Sequence, residues 1–487
     1  MTTSSKTFDQ HHEDFTALFY PKSIAIIGAS KNKLGGSKFL IALQSSGYIE
    51  GGGNVYLINP KFDELFGFPV YPDLMDSRIP KPIDLAIIAV SAKFVPTVVK
   101  QCNEICRFAV IYTSGFGESG NKNLDTELKN AIASSNTRFI GPNGLGVLNP
   151  YSKLAIYPNW CQSKGNISWV AQSGGTMARL YLTLGPMNIG FHNVVSIGNA
   201  YDISITDLLT YFQHDSITKT IALYLESIPD GREFMQIAQS ITPSKPIILW
   251  KGGQSNRGVQ ATLSHTGGLA GSYNVWKAMC KQSGIMLTDH FEFFQDLVKV
   301  AALRTNVPQN LNVAILVAGG GIGVEFTDMF EKMGLVIPDF EPKTIEGLQQ
   351  IFPAVNTSFN NPIDLGEYGY DPRLFAQAFK LVLADKNIGS VVFVREPERF
   401  NIISKMLDID DAGQMTIDSL TKIIQTTDKP VFCNPSPNRN TVDAYETRYN
   451  FQLQMIKAKI PVIEIPTNIP KIILQLYNYG KFLESRK

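Results

Sequence analysis

Three times along this 487-residue chain a short, unbroken apolar run ends in a glycine-rich turn that opens into a helix-like stretch. Ser23-Ile-Ala-Ile-Ile-Gly28 leads through Ala29-Ser30 and Gly35-Gly36 to Ser37-Lys-Phe-Leu-Ile-Ala-Leu; Asn166-Ile-Ser-Trp-Val-Ala171 leads to Gln172-Ser-Gly-Gly175; Leu311-Asn-Val-Ala-Ile-Leu-Val317 leads to Ala318-Gly-Gly-Gly321. Runs that are apolar rather than alternating are strands buried on both faces, and such strands belong to parallel sheets covered by crossover helices. Further strand-like runs follow at Val55–Ile58, Leu85–Val90, Phe108–Tyr112 and Arg138–Ile140, then at Val194–Gly198, Thr220–Glu226 and Pro246–Trp250, and finally at Ser390–Val394 and Pro430–Cys433. The alternation predicts an α/β fold of doubly wound parallel sheets. The breaks at Asn149-Pro150 and Asn306-Val-Pro-Gln309 place domains at residues 15–148, 149–304 and 308–487.

Length agrees with about three domains. A formal charge of +1 and the lack of any Lys/Arg-rich run argue against nucleic acid or an anionic membrane as the partner. Cys102, Cys106, Cys161, Cys280 and Cys433 are scattered without the paired spacing of a zinc or redox site, so reduced thiols and no metal are expected. The polar stretch Met1–Phe15 has no apolar core of a signal peptide, and no apolar run reaches spanning length, so a cytoplasmic location is expected.

Ligands of such sheets bind at the C-terminal ends of the strands. There the first domain has Gly28-Ala29-Ser30, Asn59-Pro-Lys61, Val90-Ser91 and Thr113-Ser-Gly-Phe116, and it closes with Gly141-Pro-Asn143-Gly-Leu-Gly146. Glycines let backbone N–H groups approach phosphates, and Lys61 could add a charge, although such a lysine is more often a solvated surface residue than a phosphate ligand. The pattern is not G-x-G-x-x-G and lacks the acidic residue that reads a ribose, which disfavours NAD and an oxidoreductase.

In the second domain, Ala261-Thr-Leu-Ser-His265-Thr-Gly-Gly-Leu-Ala-Gly-Ser272 sets a histidine among small residues where a helix is expected to begin. A histidine that carries a phosphoryl group needs an accessible ring nitrogen, a partner for the ring's positive charge, and donors for the phosphate oxygens. Glu226 at a strand end could be the partner. Gln172-Ser173-Gly174 and Thr266-Gly267 could supply N–H donors at two helix starts. Helix dipoles add only about 0.3–1 kcal/mol per exposed charge and up to about 2 kcal/mol when partly buried; the histidine and its carboxylate must carry the chemistry. Spacing alone leaves open the plainer alternative, a histidine that merely hydrogen-bonds within a turn. His11, His12, His192, His214 and His290 have less suggestive surroundings.

Taken together, Phe19-Tyr-Pro-Lys-Ser-Ile-Ala-Ile-Ile-Gly-Ala-Ser30, Gly141-Pro-Asn143, Ala171-Gln-Ser-Gly174, Val195-Ser-Ile-Gly-Asn199 with Asp202, Leu223-Tyr-Leu-Glu226 and Ser264-His-Thr-Gly-Gly-Leu-Ala-Gly271 resemble, in order, the NDP-forming acyl-CoA synthetases, relatives of succinyl-CoA synthetase. The resemblance implies a Rossmann-like CoA-binding domain followed by two flavodoxin-like domains of succinyl-CoA-synthetase type. It implies that His265 is phosphorylated and stabilised by Glu226, that Gln172, Ser173, Gly174, Thr266 and Gly267 hold phosphate, and that Gly28, Ala29, Ser30, Lys61, Val90, Ser91 and Asn143 hold CoA. It implies that acid, CoA and ATP or GTP interconvert with acyl-CoA, ADP or GDP and phosphate. An ATP-grasp module for nucleotide and Mg2+ does not fit after residue 310, so the resemblance implies an α subunit with a separate ATP-grasp β subunit, as α2β2. A non-catalytic CoA-binding protein of the same fold is the competing expectation, against which the retained Glu226 and His265 count.

Three positions depart from the family pattern: Gly144 stands where cysteine is common, Ser91 where proline is usual, and Val317-Ala-Gly-Gly-Gly321 where Thr-Asn-Ala-Gly-Gly is usual. Gly144 is expected to leave room for a bulkier acyl group.

Overall fold

The computed structural model describes residues 15–158, 160, 162–266, 271–437 and 439–486, with the backbone alone for 263–266. These residues form two compact units, one up to Phe291 and one from Glu292.

The first unit holds two sheets. One contains β1 (Ser23–Ile27), β2 (Asn54–Ile58), β3 (Glu64–Leu65), β4 (Phe68–Tyr71), β5 (Ile83–Ile88), β6 (Cys106–Ile111) and β7 (Arg138–Ile140), in the order β3-β4-β2-β1-β5-β6-β7. All pairings are parallel except the short β3–β4 hairpin. Setting that hairpin strand aside, the order is that of a dinucleotide-type Rossmann sheet, whose direction of winding reverses between β1 and β5. The other sheet contains β8 (Gly146–Leu148), β9 (Lys164–Ala171), β10 (Phe191–Ser196), β11 (Thr220–Leu225), β12 (Ile247–Lys251) and β13 (Met286–Thr288), ordered β13-β12-β11-β9-β10-β8. From β9 onward this is the flavodoxin order, with its reversal between β9 and β11, and β8 adds an antiparallel edge to β10.

The second unit repeats the flavodoxin pattern with β14 (Val313–Val317), β15 (Ile363–Asp364), β16 (Ser390–Arg395) and β17 (Val431–Pro435), ordered β15-β14-β16-β17 and all parallel. A parallel bridge from Cys433 to Val462 extends it. Its core packs Phe375, Phe379 and Phe393 against one another, with ring centroids 5.5–5.8 Å apart. Cys102, Cys106, Cys280 and Cys433 are free and buried; Cys161 lies outside the described residues.

Two seams join the sheets of the first unit. In one, the segment before β1 reaches across: Phe15 packs on Phe108 of β6 and on Tyr211 of the helix Ile205–His214, each at 5.7 Å between centroids. Tyr20 Oη lies 2.6 Å from His192 Nε2, and His192 Nδ1 lies 2.7 Å from Asp215 Oδ2. Thr218 donates to the same carboxylate from its N–H and its hydroxyl. Burial alone would raise the Asp215 pKa, but its bonds to His192 and Thr218 outweigh that and hold it below the ordinary value.

In the other seam, residues 141–145 lie on the end of β10. Asn199 N–H donates to Pro142 O at 2.9 Å, and Leu145 N–H donates to Ser196 Oγ at 3.1 Å. A Cβ on Gly144 would stand 2.7 Å from the Ser196 carbonyl oxygen. This corrects the expectation of spare room at Gly144: the space a side chain would enter is already held by backbone, and glycine lets two stretches of the chain touch there. Gly144→Ala is therefore expected to cost about 1–3 kcal/mol in urea unfolding, the usual range for overpacking.

Asp215→Ala should cost about 3–5 kcal/mol at neutral pH, since it strands buried partners of a charged group. Because the folded carboxyl titrates below its unfolded value, this contribution is fully present above about pH 4 and fades as pH falls through the folded value. The gap in unfolding free energy between wild type and variant should narrow accordingly under acid.

Candidate functional site

At the first reversal point, Gly28 leaves β1 with φ +97°, and a Cβ there would lie 2.5 Å from Ala89 O. Only glycine lets the two strand ends come this close. Gly28 N–H donates to Ile58 O at 3.0 Å and Ala89 N–H to Ile27 O at 2.9 Å. Ser30 N–H donates to Ser37 Oγ at 3.0 Å and the Ser37 hydroxyl donates back to Ser30 O, which ties the turn to the helix Ser37–Ser45. Asn59 Nδ2 donates to Ala29 O at 2.6 Å and its Oδ1 accepts Lys61 N–H at 2.9 Å, leaving the Lys61 side chain exposed on the edge.

At the second reversal point, Gln172 follows β9 and its side chain is spent on the backbone across the crevice. Its Oε1 accepts from Glu226 N–H and, at 3.1 Å, from Ser227 N–H, while its Nε2 donates to Ser227 O at 3.0 Å. Ser173 then caps the helix Gly174–Leu184, its Oγ accepting Thr176 N–H at 3.3 Å. The first N–H groups of that helix open onto a cavity of about 650 Å³. Val90, Ser91, Asn143, Gln172, Ser173 and Gly174 all line this one space, so residues expected to hold CoA and residues expected to hold phosphate meet in it. Gly28, Ala29, Ser30 and Lys61 are not in its wall; the first three shape the turn behind it.

Glu226 is buried at 3% exposure just beyond the Gln172 crevice, and Tyr224 Oη donates to its Oε1 at 3.1 Å. Lys251, at the end of β12 and paired in register with Leu225, is 1% exposed and donates from Nζ to Gly252 O. Burial pushes the Lys251 pKa down and the Glu226 carboxylate partly restores it, to about 8. Burial and the same carboxylate push the Tyr224 phenol up.

The sequence reading did not single out Tyr224 or Lys251. The available signal was their position, a phenol and an ammonium at the C-terminal ends of two adjacent apolar strands.

Asn256–Thr266 is a helix and the next described helix starts at Tyr273. His265 thus falls in the last turn of a helix, which corrects the expected helix start at this point. Ala261 and Leu263 extend a helix, while Gly267-Gly268 is a stop signal as readily as an opening one. The side chains of His265 and Thr266, and all of Gly267, lie outside the described residues. The helix lies against the turn Gly117–Ser119. In that turn Glu118 accepts from the N–H groups of Gly115 and Phe116 and from Asn199 Nδ2, and these bonds lower its pKa against the opposing effect of burial.

Residues 22–150 match the CoA binding domain family and residues 164–301 the succinyl-CoA ligase like flavodoxin domain family. The chain is 35% identical over 383 residues to the α subunit of ADP-forming acetate–CoA ligase II of Pyrococcus furiosus, a match covering 77% of this chain and 81% of that one. It is 33% identical over 433 residues to ADP-forming acetate–CoA ligase I of Archaeoglobus fulgidus, covering 86% of this chain and 61% of that longer one. The chain thus spans about three fifths of that relative's length. Its structure superposes with a TM-score of 0.81 on a dinucleotide-forming acetyl-coenzyme A synthetase 1 of Candidatus Korarchaeum cryptofilum solved with phosphate and ADP, at 30% identity over 96% of this chain and 97% of the other. Two reversal points facing one cavity, on a fold matched across nearly its whole length, follow from common descent: the chain belongs to the family of ADP-forming acyl-CoA synthetases.

Proposed function

We propose that the chain is the α subunit of an NDP-forming acyl-CoA synthetase that interconverts a carboxylic acid, CoA and ATP or GTP with acyl-CoA, ADP or GDP and phosphate. The observation that carries this reading is the shared cavity, where Val90, Ser91 and Asn143 face Gln172, Ser173 and Gly174. On this reading residues 15–148 bind CoA, residues 149–304 carry the phosphohistidine, and residues 308–487 form a third domain of succinyl-CoA-synthetase type.

Phosphate enters against the helix start Ser173–Gly175, where N–H donors and the helix dipole favour an anion. Its oxygen attacks the thioester carbonyl, the carbon–sulfur bond breaks, and CoA leaves as thiolate. His265 attacks the phosphorus of the acyl phosphate, the acid departs as carboxylate, and the phosphoryl group stays on the ring nitrogen. Glu226 steadies the ring's positive charge, and Tyr224 and the Gln172 bonds hold Glu226 in one orientation. Such transfers depend chiefly on positioning and electrostatics. A separate ATP-grasp β subunit would hold the ADP or GDP whose terminal phosphate oxygen accepts the phosphoryl group, with Mg2+ to neutralise its charge. The Pyrococcus relative's name as a subunit α, together with the extra length of the Archaeoglobus relative, supports such a partner. An α2β2 assembly and a cytoplasmic location belong to the same proposal.

Incubation with acetyl-CoA or succinyl-CoA and radiolabelled phosphate should give acid-labile, base-stable label on the chain. His265→Ala should abolish the label and Glu226→Gln should reduce its rate at least tenfold, in line with typical losses of charge stabilisation. No label, with or without a β subunit, overturns the reading in favour of a protein that binds CoA without turnover.

The Lys251 charge beside Glu226 is lost above about pH 8. Label formation should therefore show an alkaline break near that pH, and Lys251→Met should remove the break.

A further inference from the structure

The loop 141–145 is pinned from both sheets of the first unit. Asn143 N–H donates to Thr113 O, just past the end of β6, at 3.1 Å. From the segment after β10, Tyr201 N–H donates to Gly141 O at 3.0 Å and Asn199 N–H to Pro142 O at 2.9 Å. A Cβ on Gly198 would stand 2.3 Å from Pro142 O and 2.7 Å from Asn143 O, so backbone lies directly on backbone here.

Held in this way, Asn143 has φ +60°, a left-handed conformation that costs most L residues and that glycine adopts freely. Glycines stand at 141 and 144, yet position 143 carries a side chain and lines the cavity of about 650 Å³. Two amides stand in that wall. Gln172 spends its own on the backbone of Glu226 and Ser227, whereas the Asn143 amide bonds no group among the described residues.

The same loop touches the helix start that favours an anion. A Cβ on Gly174 would meet Leu145 Cγ at 2.5 Å, so a side chain two residues after Asn143 lies on the first residue of the helix Gly174–Leu184. The hydroxyls of the wall are placed differently: Thr113 donates to Val90 O at 2.7 Å, and Ser91 and Ser114 are exposed at the strand ends. Loop 143–145 thus brings a rigidly based amide to the side of the cavity where the helix begins.

On the synthetase reading, phosphate at that helix start attacks the thioester carbonyl carbon. The carbon–oxygen π pair moves onto oxygen, a tetrahedral oxyanion forms, and its collapse restores the carbonyl and expels CoA as thiolate. N–H donors fixed in advance near such an oxygen lower the barrier, because nothing has to reorganise as the charge develops. We infer that Asn143 is a catalytic residue of this step, its Nδ2 donating to the oxyanion. In the direction of synthesis the same amide receives the charge when CoA thiolate attacks the carbonyl of the acyl phosphate. The transfer to His265 takes place at phosphorus, puts no charge on the carbonyl oxygen, and does not use Asn143. This rests on the synthetase reading above and assigns a residue to its first step.

An asparagine present only because it tolerates φ +60° could be replaced by glycine without loss, which makes Asn143→Gly the decisive variant. The full chain, with a β subunit where the wild type needs one, is labelled by two routes. One uses radiolabelled phosphate with acetyl-CoA or succinyl-CoA, whichever labels the wild type; the other uses the corresponding acyl phosphate, labelled in its phosphoryl group. In Asn143→Gly the thioester route should slow at least tenfold and up to about 10³-fold, the range for loss of one oxyanion donor. The acyl phosphate route should slow less than threefold, and the thioester route should stay slow at saturating acyl-CoA. Asn143→Asp, of equal size but offering only acceptors, should lose the thioester route as well.

A thioester route slowed less than tenfold in Asn143→Gly overturns the inference and leaves Asn143 a backbone residue. Equal losses by both routes overturn it too, as does a loss that saturating acyl-CoA restores, which would make Asn143 a CoA-binding residue alone. A wild type that takes no label by either route overturns the synthetase reading itself, a result distinct from any difference between the routes.

Discussion

The side chain of Gln172 fixes the second domain's reversal point. By accepting from the N–H groups of Glu226 and Ser227 and donating to Ser227 O, it closes the crevice between β9 and β11 with side-chain bonds where two strands part. Strand ends at such a point otherwise leave backbone groups without ladder partners, and a buried group left so costs about 1–3 kcal/mol. With the crevice closed, Ser173 turns outward to cap its helix toward the cavity, and Glu226 turns inward beside Tyr224 and Lys251. One amide thus sets an anion-favouring surface and a buried carboxylate on either side of itself.

Much of this could be read from residues alone, for a physical reason. The runs Ser23–Gly28, Asn166–Ala171 and Leu311–Val317 are apolar on both faces and end in glycines, so strand, turn and helix follow from local chemistry. The lateral order of strands leaves no such local mark, since it depends on which pairs meet after collapse; the Rossmann and flavodoxin orders emerge only from the pairings. Glycine was ambiguous in a second way. At Gly28 it opens a turn, at Gly144 it permits two backbones to touch, and at Gly267-Gly268 it follows a helix that had been expected to start there.

Lone charged residues were the least legible. Lys251 sits in apolar surroundings that on paper look like ordinary strand sequence, while Lys61 stands beside a turn and draws attention instead. What distinguishes Lys251 is burial, which no pattern of neighbours in the chain discloses: its ammonium rests on a carbonyl with the Glu226 carboxylate near it.

The strap from Phe15 to Tyr20 has a thermodynamic meaning beyond its contacts. It belongs in sequence to the CoA-binding domain, yet Phe15 and Phe19 stack on Tyr211 and Tyr20 meets His192, both in the domain that follows. A boundary drawn near residue 148 therefore cuts the chain where the free energy does not divide. The two sheets are tied to melt as one cooperative block, with the strap and the walls of the cavity sharing one unfolding event.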